Sequence, residues 1–585
     1  MILAVANTEQ NKEEERLLME KKAKQTIIGT TIALVLIIIA VSIVLVRKYT
    51  PSDERMELSE YYVVPEGEAM VIMDDAIYEK NALLIDGTLY MDINTITERF
   101  NHRFYWDSIE NLLIYTTPSE VIKAEVGSKD YYVNKNKLSK DYTIVKTIGD
   151  SVYVALEFVD EYSSFFYEVY EEPDRVVIHA AMGDYLYVTV NKNTQIRYEG
   201  NIKSDILADA AAGDALLLID AGGTNQKGFL KVMTKDGVIG YVKQKHVSES
   251  YYETVESDYE EAVYSSIAKD YKVNLVWHQV TNKESNSYMT DLISNTKGVT
   301  TISPTWYRIN STDGTLSSLA SESYVEKAHN LGLEVWALVD NFDPSVDTFE
   351  VLSKTSSRER LVNELIAEAI KYNLDGINID FENLSLETGP HFIQFIRELS
   401  VKCRSNQIVL SVDNYPPYSY NAFYDYVEQG KIVDYVIIMG YDEHHTNSEA
   451  AGSVASIGYV NDAITNTLAK VNKEKVIMAV PFYTRLWKET TTDDGVTLSS
   501  EALGMSAAES ILSKNGVTAE WEESVAQYYA EYTIDNVLYK VWLEEDESIE
   551  AKMKAIHAAD LAGVAGWRLG FEKSSIWNVI QKYVN

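Results

Sequence analysis

The hydrophobic rhythm of the chain changes several times along its length, and each change predicts a different kind of element. Residues 26–46, from Thr26 to Val46, form a near-continuous apolar run without a charge, long enough to cross one bilayer core. A polar stretch, residues 1–25, precedes the run, so an uncleaved membrane anchor is expected rather than a leader peptide. Between residues 62 and 182, short β-rich runs alternate with polar turns. Two segments there match at an offset of 63: Gly87-Thr88-Leu89-Tyr90-Met91 with Asp150-Ser151-Val152-Tyr153-Val154, and Leu113-Ile114 with Val176-Val177. This weak repeat predicts two copies of one small α+β unit. Residues 185–248 read as an all-β module, with Asp236-Gly237 between two apolar runs as a hairpin signal. Residues 249–271 are rich in Glu, Asp, Ser and Tyr, lack an apolar period, and read as a linker.

From residue 272 to 585 the pattern becomes apolar strand, then amphipathic helix, repeated. Eight strands are predicted: Val273–Val280, Val299–Ile309, Glu334–Phe342, Gly376–Glu382, Ile408–Tyr415, Tyr435–Asp442, Val476–Tyr483 and Val564–Leu569. Helical spacing is clear over Arg358–Tyr372, where Leu361, Leu365, Ile366 and Ile370 recur. The expected fold class is therefore α/β, a (β/α)8 TIM barrel with an insertion over about residues 488–547.

Charge narrows the partners. The formal net charge of -37 argues against nucleic acid and against anionic lipid bound through a broad basic face, and leaves neutral polymers such as glycans open. The single cysteine, Cys403, excludes an internal disulfide framework, and its place on a helical pattern predicts a small buried residue. Lys21, Lys22 and Lys24 flank the apolar run on one side, Arg47 and Lys48 on the other. This slight bias places residues 1–25 in the cytoplasm and the remainder outside, as a single-pass cell-membrane protein.

In a barrel, chemistry sits at the C-terminal ends of the strands, and the unusual residues lie there. In Asp375-Gly376-Ile377-Asn378-Ile379-Asp380-Phe381-Glu382, strand alternation puts Asn378, Asp380 and Glu382 on one face and Ile377, Ile379 and Phe381 on the other. Trp306 and Tyr307, Asp413-Asn414-Tyr415, Met439-Gly440-Tyr441-Asp442, Tyr483 with Arg485, and Trp567 end other strands. Aromatic platforms beside carboxyl groups fit a sugar, whose C–H faces stack on rings while a carboxyl moves the proton. Trp306 and Trp487 are equally open to a reading as core aromatics, and Arg485 to one as the partner of a barrel carboxylate. His444 and His445 face opposite sides of a strand and are expected to be hydrogen-bonding loop residues rather than metal ligands.

Residues 375–382 resemble the Asp-x-x-Asp-x-Asp-x-Glu signature of family 18 glycoside hydrolases, and Met439-x-Tyr441-Asp442 and Trp567 extend the resemblance over residues 272–585. Ser303-Pro304-Thr305-Trp306, Tyr441-Asp442-Glu443-His444 and Pro481-Phe482-Tyr483-Thr484-Arg485 are most similar to its cell-wall and spore-associated branch. The resemblance implies substrate-assisted retaining hydrolysis. Glu382 is then the acid and base, Asp380 and Tyr441 handle the substrate acetamido group, and Trp567 floors the pocket. Asp442, Tyr483, Arg485, Trp306 and Asn414 are candidate substrate contacts, while Asp375 and Met439 are structural parts of the motif. Asn378 replaces the middle Asp of the signature, and loss of that like charge is expected to make Asp380 easier to ionise.

Leu84-Ile85-Asp86-Gly87-Thr88-Leu89-Tyr90 with Phe104-Tyr105-Trp106-Asp107 resembles the copper amine oxidase N-terminal-like domain, which implies a stalk or wall-contact module over 62–182 and no copper. Residues 185–248 resemble a bacterial SH3-like domain, often associated with wall binding. No cofactor and no metal are expected. The implied partners are an N-acetylglucosamine-containing polysaccharide, the cell wall through the N-terminal modules, and the membrane through residues 26–46. Peptidoglycan is preferred to chitin because of the anchor and wall-type modules. A lectin-like wall protein without turnover and a structural wall protein are the alternatives.

Overall fold

The computed structural model describes residues 2–220, 228–492 and 495–584. It divides into two compact units, residues 1–92 with 155–260 and residues 93–154 with 261–585.

The first unit begins with one helix, Ile2–Tyr49, in which residues 26–46 are exposed throughout. Helical structure thus extends well upstream of the apolar run. After it, Glu68–Met73 pairs in parallel with Arg175–His179, which pairs antiparallel with Phe166–Tyr170. Ala82–Ile85 and Thr88–Asp92 form a hairpin whose two loop residues, Asp86 and Gly87, both have positive φ (52° and 81°), the geometry that matches strand twist in a two-residue turn.

The described residues among 183–220 and 228–255 form a seven-stranded antiparallel sheet around Val188, Ile196, Leu216, Val232 and Val242. The hairpin at Asp236-Gly237 needs its glycine. At φ 83° a Cβ there would come within 2.6 Å of Ile72 and 2.7 Å of Val177. Arg175, almost fully buried, locks the turn by donating to the Asp236 carboxylate and carbonyl at 2.8 and 2.7 Å. The linker expected over 249–271 is corrected at its start, because Tyr251–Val255 is the edge strand of this sheet, paired with Gly183–Thr189. As an edge strand it hydrogen-bonds one neighbouring strand of the sheet, and its residues Tyr252, Glu253 and Thr254 are exposed.

The second unit holds the barrel. Its eight parallel strands are Val273–His278, Thr301–Ile309, Glu334–Asp340, Gly376–Asp380, Val409–Asn414, Tyr435–Met439, Val476–Pro481 and Gly563–Trp567, each paired with its neighbours and the first closing on the last. All eight expected strands form, most ending one to three residues early, where the chain turns out to build the site. The helices cover them with apolar faces. Gly389–Ser405 buries Phe392, Phe395, Ile396, Leu399 and Cys403 against the sheet.

Two segments expected elsewhere belong to this unit. Residues 93–154 are expected as half of a separate stalk, yet their five-stranded meander, Tyr105–Asp107 through Asn136–Ser139, packs on the barrel helices. The Asp107 carboxylate accepts from the backbone N–H of Thr355 at 2.7 Å and Glu110 from that of Ser356 at 2.9 Å, satisfying two orphan donors at a helix start. Buried Glu428 accepts from Arg103 at 2.9 and 3.2 Å and from Arg397 at 2.8 Å. The later part of the expected linker is also anchored: the Ile267 N–H bonds Asp434 at 2.6 Å and that of Lys269 bonds the Tyr435 hydroxyl at 2.8 Å, at the entry of barrel strand six.

Between strands seven and eight lies the expected insertion. It starts at Tyr483 and forms a five-stranded antiparallel sheet with the helix Met505–Lys514, around Leu486, Leu512, Ala530 and Val541. A buried chain of polar groups ties it to the loop after strand six. The His444 ring bonds the Ser453 carbonyl at 2.9 Å, the Ser453 hydroxyl bonds Gln527, and Gln527 donates to Glu544 at 2.7 Å, which pairs with Lys552 at 2.9 Å.

Candidate active site

The centre of the barrel is polar because alternation in strand four turns Asn378 and Asp380 inward while Ile377 and Ile379 pack outward. Asn378 is completely buried and completely satisfied. Its carbonyl oxygen accepts from the Trp277 indole at 2.9 Å and the Ser303 hydroxyl at 3.1 Å. Its amide nitrogen donates to Ser411 at 3.1 Å and to Asp413 at 2.8 Å. Burial of such a group without partners costs about 1–3 kcal/mol, so the four bonds are what make it tolerable there.

Three carboxyl groups gather at this end. Asp380 and Asp413 are 6% and 3% exposed, and burial pushes both well above the usual carboxylate range. The neighbouring charges of Asp413, Glu382 and Asp340 add to the rise at Asp380. At Asp413, Glu382 adds to it while the hydrogen bonds of Asn378 and Trp277 oppose it. Glu382 is half-buried just beyond the strand. Burial raises its pKa, Asp442 and Asp340 raise it further, and a 2.5 Å hydrogen bond donated by Tyr415 pulls the other way. Asn341 fixes its backbone, accepting from the Glu382 N–H and donating to its carbonyl, both at 3.0 Å. Arg308 holds Asp340 bidentately at 2.6 and 2.9 Å.

Strands six to eight supply the rest. Tyr441 is 8% exposed and burial raises its pKa, which keeps the phenol a hydrogen-bond donor. Asp442 follows in the left-handed region at φ 59° and accepts from Tyr483 at 2.5 Å, and the rings of Tyr441 and Tyr483 meet edge to face at 6.1 Å. Arg485 donates through Nη1 to Ser500 at 3.0 Å, while its buried Nε has no partner among the described residues. Trp567 is half-buried at the mouth, 5.9 Å from the Trp277 ring.

A barrel with a carboxyl triad and aromatic platforms at its C-terminal end matches the family model of the glycosyl hydrolases family 18 over residues 238–572, more than half of the chain. The chain belongs to family 18. It is a glycoside hydrolase. The copper amine oxidase N-terminal domain model matches residues 71–203. An uncharacterized glycosylase, YvbX of Bacillus subtilis, is 28% identical over 266 residues, 43% of this chain and 75% of the relative. The cortical fragment-lytic enzyme of Bacillus subtilis is 27% identical over 243 residues, 40% of this chain and only 56% of the relative. The crystal structure of the spore cortex-lytic enzyme SleL of Bacillus megaterium matches with a TM-score of 0.48 at 20% identity, over 56% of this chain and 77% of that one.

Within this family 18 barrel the structure gathers Asn378, Asp380, Glu382, Tyr441, Asp442, Tyr483 and Trp567 at one end, with Arg485 close behind Tyr483. Two expected contacts lie elsewhere. Trp306 is 2% exposed, its indole donates to Asn286 at 2.8 Å and its ring packs on Tyr324, so it is a core aromatic, as is fully buried Trp487. Asn414 exchanges amide hydrogen bonds with Gln429 at 2.8 and 3.2 Å on the helix side of strand five. Asp375 lies at the opposite end, accepting from His329 and the Val335 N–H at 2.8 Å, and Met439 is buried in the core.

Asp413 and Tyr415 stand at a strand end in the sequence reading and Ser303 in one of its motifs, none with a role assigned, while Trp277 and Asn341 are absent from it. Strand parity singles out the first two, because Ser411, Asp413 and Tyr415 share one face and Asn414 points the other way. One electrostatic expectation is corrected. Asp380 has not lost its like-charged neighbour, since Asp413 supplies one, and its ionisation is made harder rather than easier.

Proposed function

We propose that this family 18 enzyme cleaves β-linked N-acetylglucosamine-containing glycans by a substrate-assisted retaining mechanism. The observation that carries the reading is Glu382, a carboxyl raised by burial at the barrel mouth, with Asp380 beside it and Tyr441 across from it. A raised pKa keeps the acid form present at the pH of the reaction, which a proton donor to a glycosidic oxygen requires. Glu382 donates its proton to that oxygen as the bond to the anomeric carbon breaks. The substrate's acetamido carbonyl oxygen forms the new bond to the anomeric carbon from the opposite face. Asp380 accepts from the acetamido N–H, which gains positive charge, and Tyr441 donates to the carbonyl oxygen. Trp567 supports the sugar from below. Water then attacks the anomeric carbon, the bond to the acetamido oxygen breaks, and Glu382 takes the proton from the water, so two inversions give net retention.

Peptidoglycan is the favoured polymer. Support comes from the relatives named as cortical fragment-lytic enzymes, together with an exposed apolar helical stretch of about 21 residues, about 31 Å at 1.5 Å per residue, close to the thickness of a bilayer core. In this reading residues 26–46 anchor the chain in the cell membrane with the barrel outside. Residues 62–248, including an SH3-like module, contact the wall. The test is release of new reducing ends from purified peptidoglycan and from chitin oligomers by the full chain in detergent, beside Glu382→Gln. Cleavage by the wild type alone supports the reading. Binding without cleavage by both would make the protein a lectin.

A further inference from the structure

The second buried carboxyl of the site sits one strand away from where the signature has it. Strands four and five pair in parallel with Asn378 against Ser411 and Ile379 against Val412, and the next step of that register sets Asp380 abreast of Asp413 on the inward face. Asn378 uses both amide hydrogens and its carbonyl oxygen to hold Trp277, Ser303, Ser411 and Asp413, so Asp413 is fixed in place from strand four. Beside it, Oδ1 of Asp380 is buried and accepts no hydrogen bond from any described residue. The groups facing the pair are Glu382, Asp340 with its charge matched by Arg308, and the phenols of Tyr441, Tyr415 and Tyr424. Among the described residues no lysine or arginine hydrogen-bonds either carboxyl. Two adjacent buried carboxyls without a cation cannot both ionise, and an orphan oxygen next to a carboxyl is where a shared proton goes.

We propose that Asp413 and Asp380 share one proton, and that Asp413 is the positioning residue that keeps this proton so that Asp380 can turn a charged oxygen to the substrate acetamido N–H. The inference rests on the substrate-assisted reading above. The only bond that changes at the pair is the O–H of the shared proton, broken at Asp380 as it forms at Asp413. The proton moves toward Asp413 as positive charge develops on the acetamido group, and back when water completes the reaction.

Three variants test it in the full chain. Asp413→Asn keeps an oxygen to accept the Asn378 N–H, so the fold is retained, which thermal melting checks. The variant is expected to lower kcat with little change in KM and to move the acid limb of the pH profile to lower pH, because Asp380 loses its like-charged neighbour. The exchange Asn378→Asp/Asp413→Asn returns a carboxyl to the inward face beside Asp380 and is expected to bring the limb back toward wild type. A purely structural Asp413 would cost activity without moving the limb, and an unmoved limb overturns the proposal. So does an exchange variant that behaves like the single one. Infrared spectra at neutral pH give a readout without substrate. A protonated-carboxyl band present in wild type is expected to disappear in both Asp413→Asn and Asp380→Asn, and its persistence in either overturns the pair. If wild type cleaves no 2-acetamido glycan yet shows this band difference, the substrate-assisted reading fails and the carboxyl pair stands.

Discussion

Tyr415→Phe removes a single hydroxyl and isolates the hydrogen bond that restrains the proposed acid. Tyr415 donates to Glu382 Oε2 at 2.5 Å, and burial together with Glu382 itself raises the Tyr415 pKa far enough that the phenol stays a donor. A hydrogen bond to a charged acceptor contributes about 1.5–3 kcal/mol and one to a neutral acceptor about 0.5–1.5 kcal/mol. The difference, about 1–1.5 kcal/mol, favours ionised Glu382. Since about 1.4 kcal/mol is a factor of ten, loss of the hydroxyl shifts the protonation equilibrium of Glu382 toward the acid by up to about tenfold. The alkaline limb of kcat/KM is therefore expected to move to higher pH. On that limb the ratio of variant to wild-type activity should rise by up to about tenfold over its plateau value. The plateau itself should fall only a few-fold, because Asn341 still fixes the backbone of Glu382. The assay is initial rate against pH on one soluble 2-acetamido oligosaccharide, with melting curves as the control for folding. A limb that stays in place, or moves to lower pH, in a variant that melts like wild type would refute the reasoning.

Glu382→Gln should lower kcat by about 10²–10⁴-fold while glycan binding survives, measured by pull-down on the polymer that wild type cleaves. Trp567→Ala should lower kcat/KM by about two- to tenfold, from loss of a stacking surface of about 0.5–1.5 kcal/mol, without a shift in either limb of the pH profile. Glu428→Ala strands buried Arg103 and Arg397 and should cost about 3–5 kcal/mol, read by calorimetry as a lower Tm. Burial alone would raise the Glu428 carboxyl, but the His102 hydrogen bond and the Arg397 and Arg103 charges outweigh it and hold it below its ordinary value of 4.5. A depressed pKa contributes stability above that ordinary value, so the gap between wild type and Glu428→Ala should narrow as pH falls below 4.5 and stay constant above it.

The barrel was legible because each strand announces itself locally. A parallel strand covered on its outer side reads as a short apolar run, and the helix between two strands shows its own period, so the eight strands and their order follow from the chain alone. The row Asn378, Asp380, Glu382 was legible for the same reason, since alternation assigns faces without any knowledge of neighbours. Trp306 and Asn414 were misassigned where that rule was set aside in favour of residue type. Both have the parity of the helix-facing side, and both are buried there. Residues 93–154 illustrate a different limit. Their strands are readable, yet the carboxylates of Asp107 and Glu110 reach a helix start some 250 positions away, a partnership that leaves no trace in local pattern.

The sequence by itself determined the strand and helix order, the faces of each strand, the apolar run at 26–46, and the row Asn378, Asp380 and Glu382 at one strand end. These are consequences of side-chain period and composition, which act over a few residues. Only the tertiary structure decided which carboxyl stands beside Asp380, which hydroxyl restrains Glu382, and what covers the barrel helices. Those outcomes depend on the register between strands four and five and on burial. That register, continued one step, brings Asp413 beside Asp380, and removal of water raises the pKa of both.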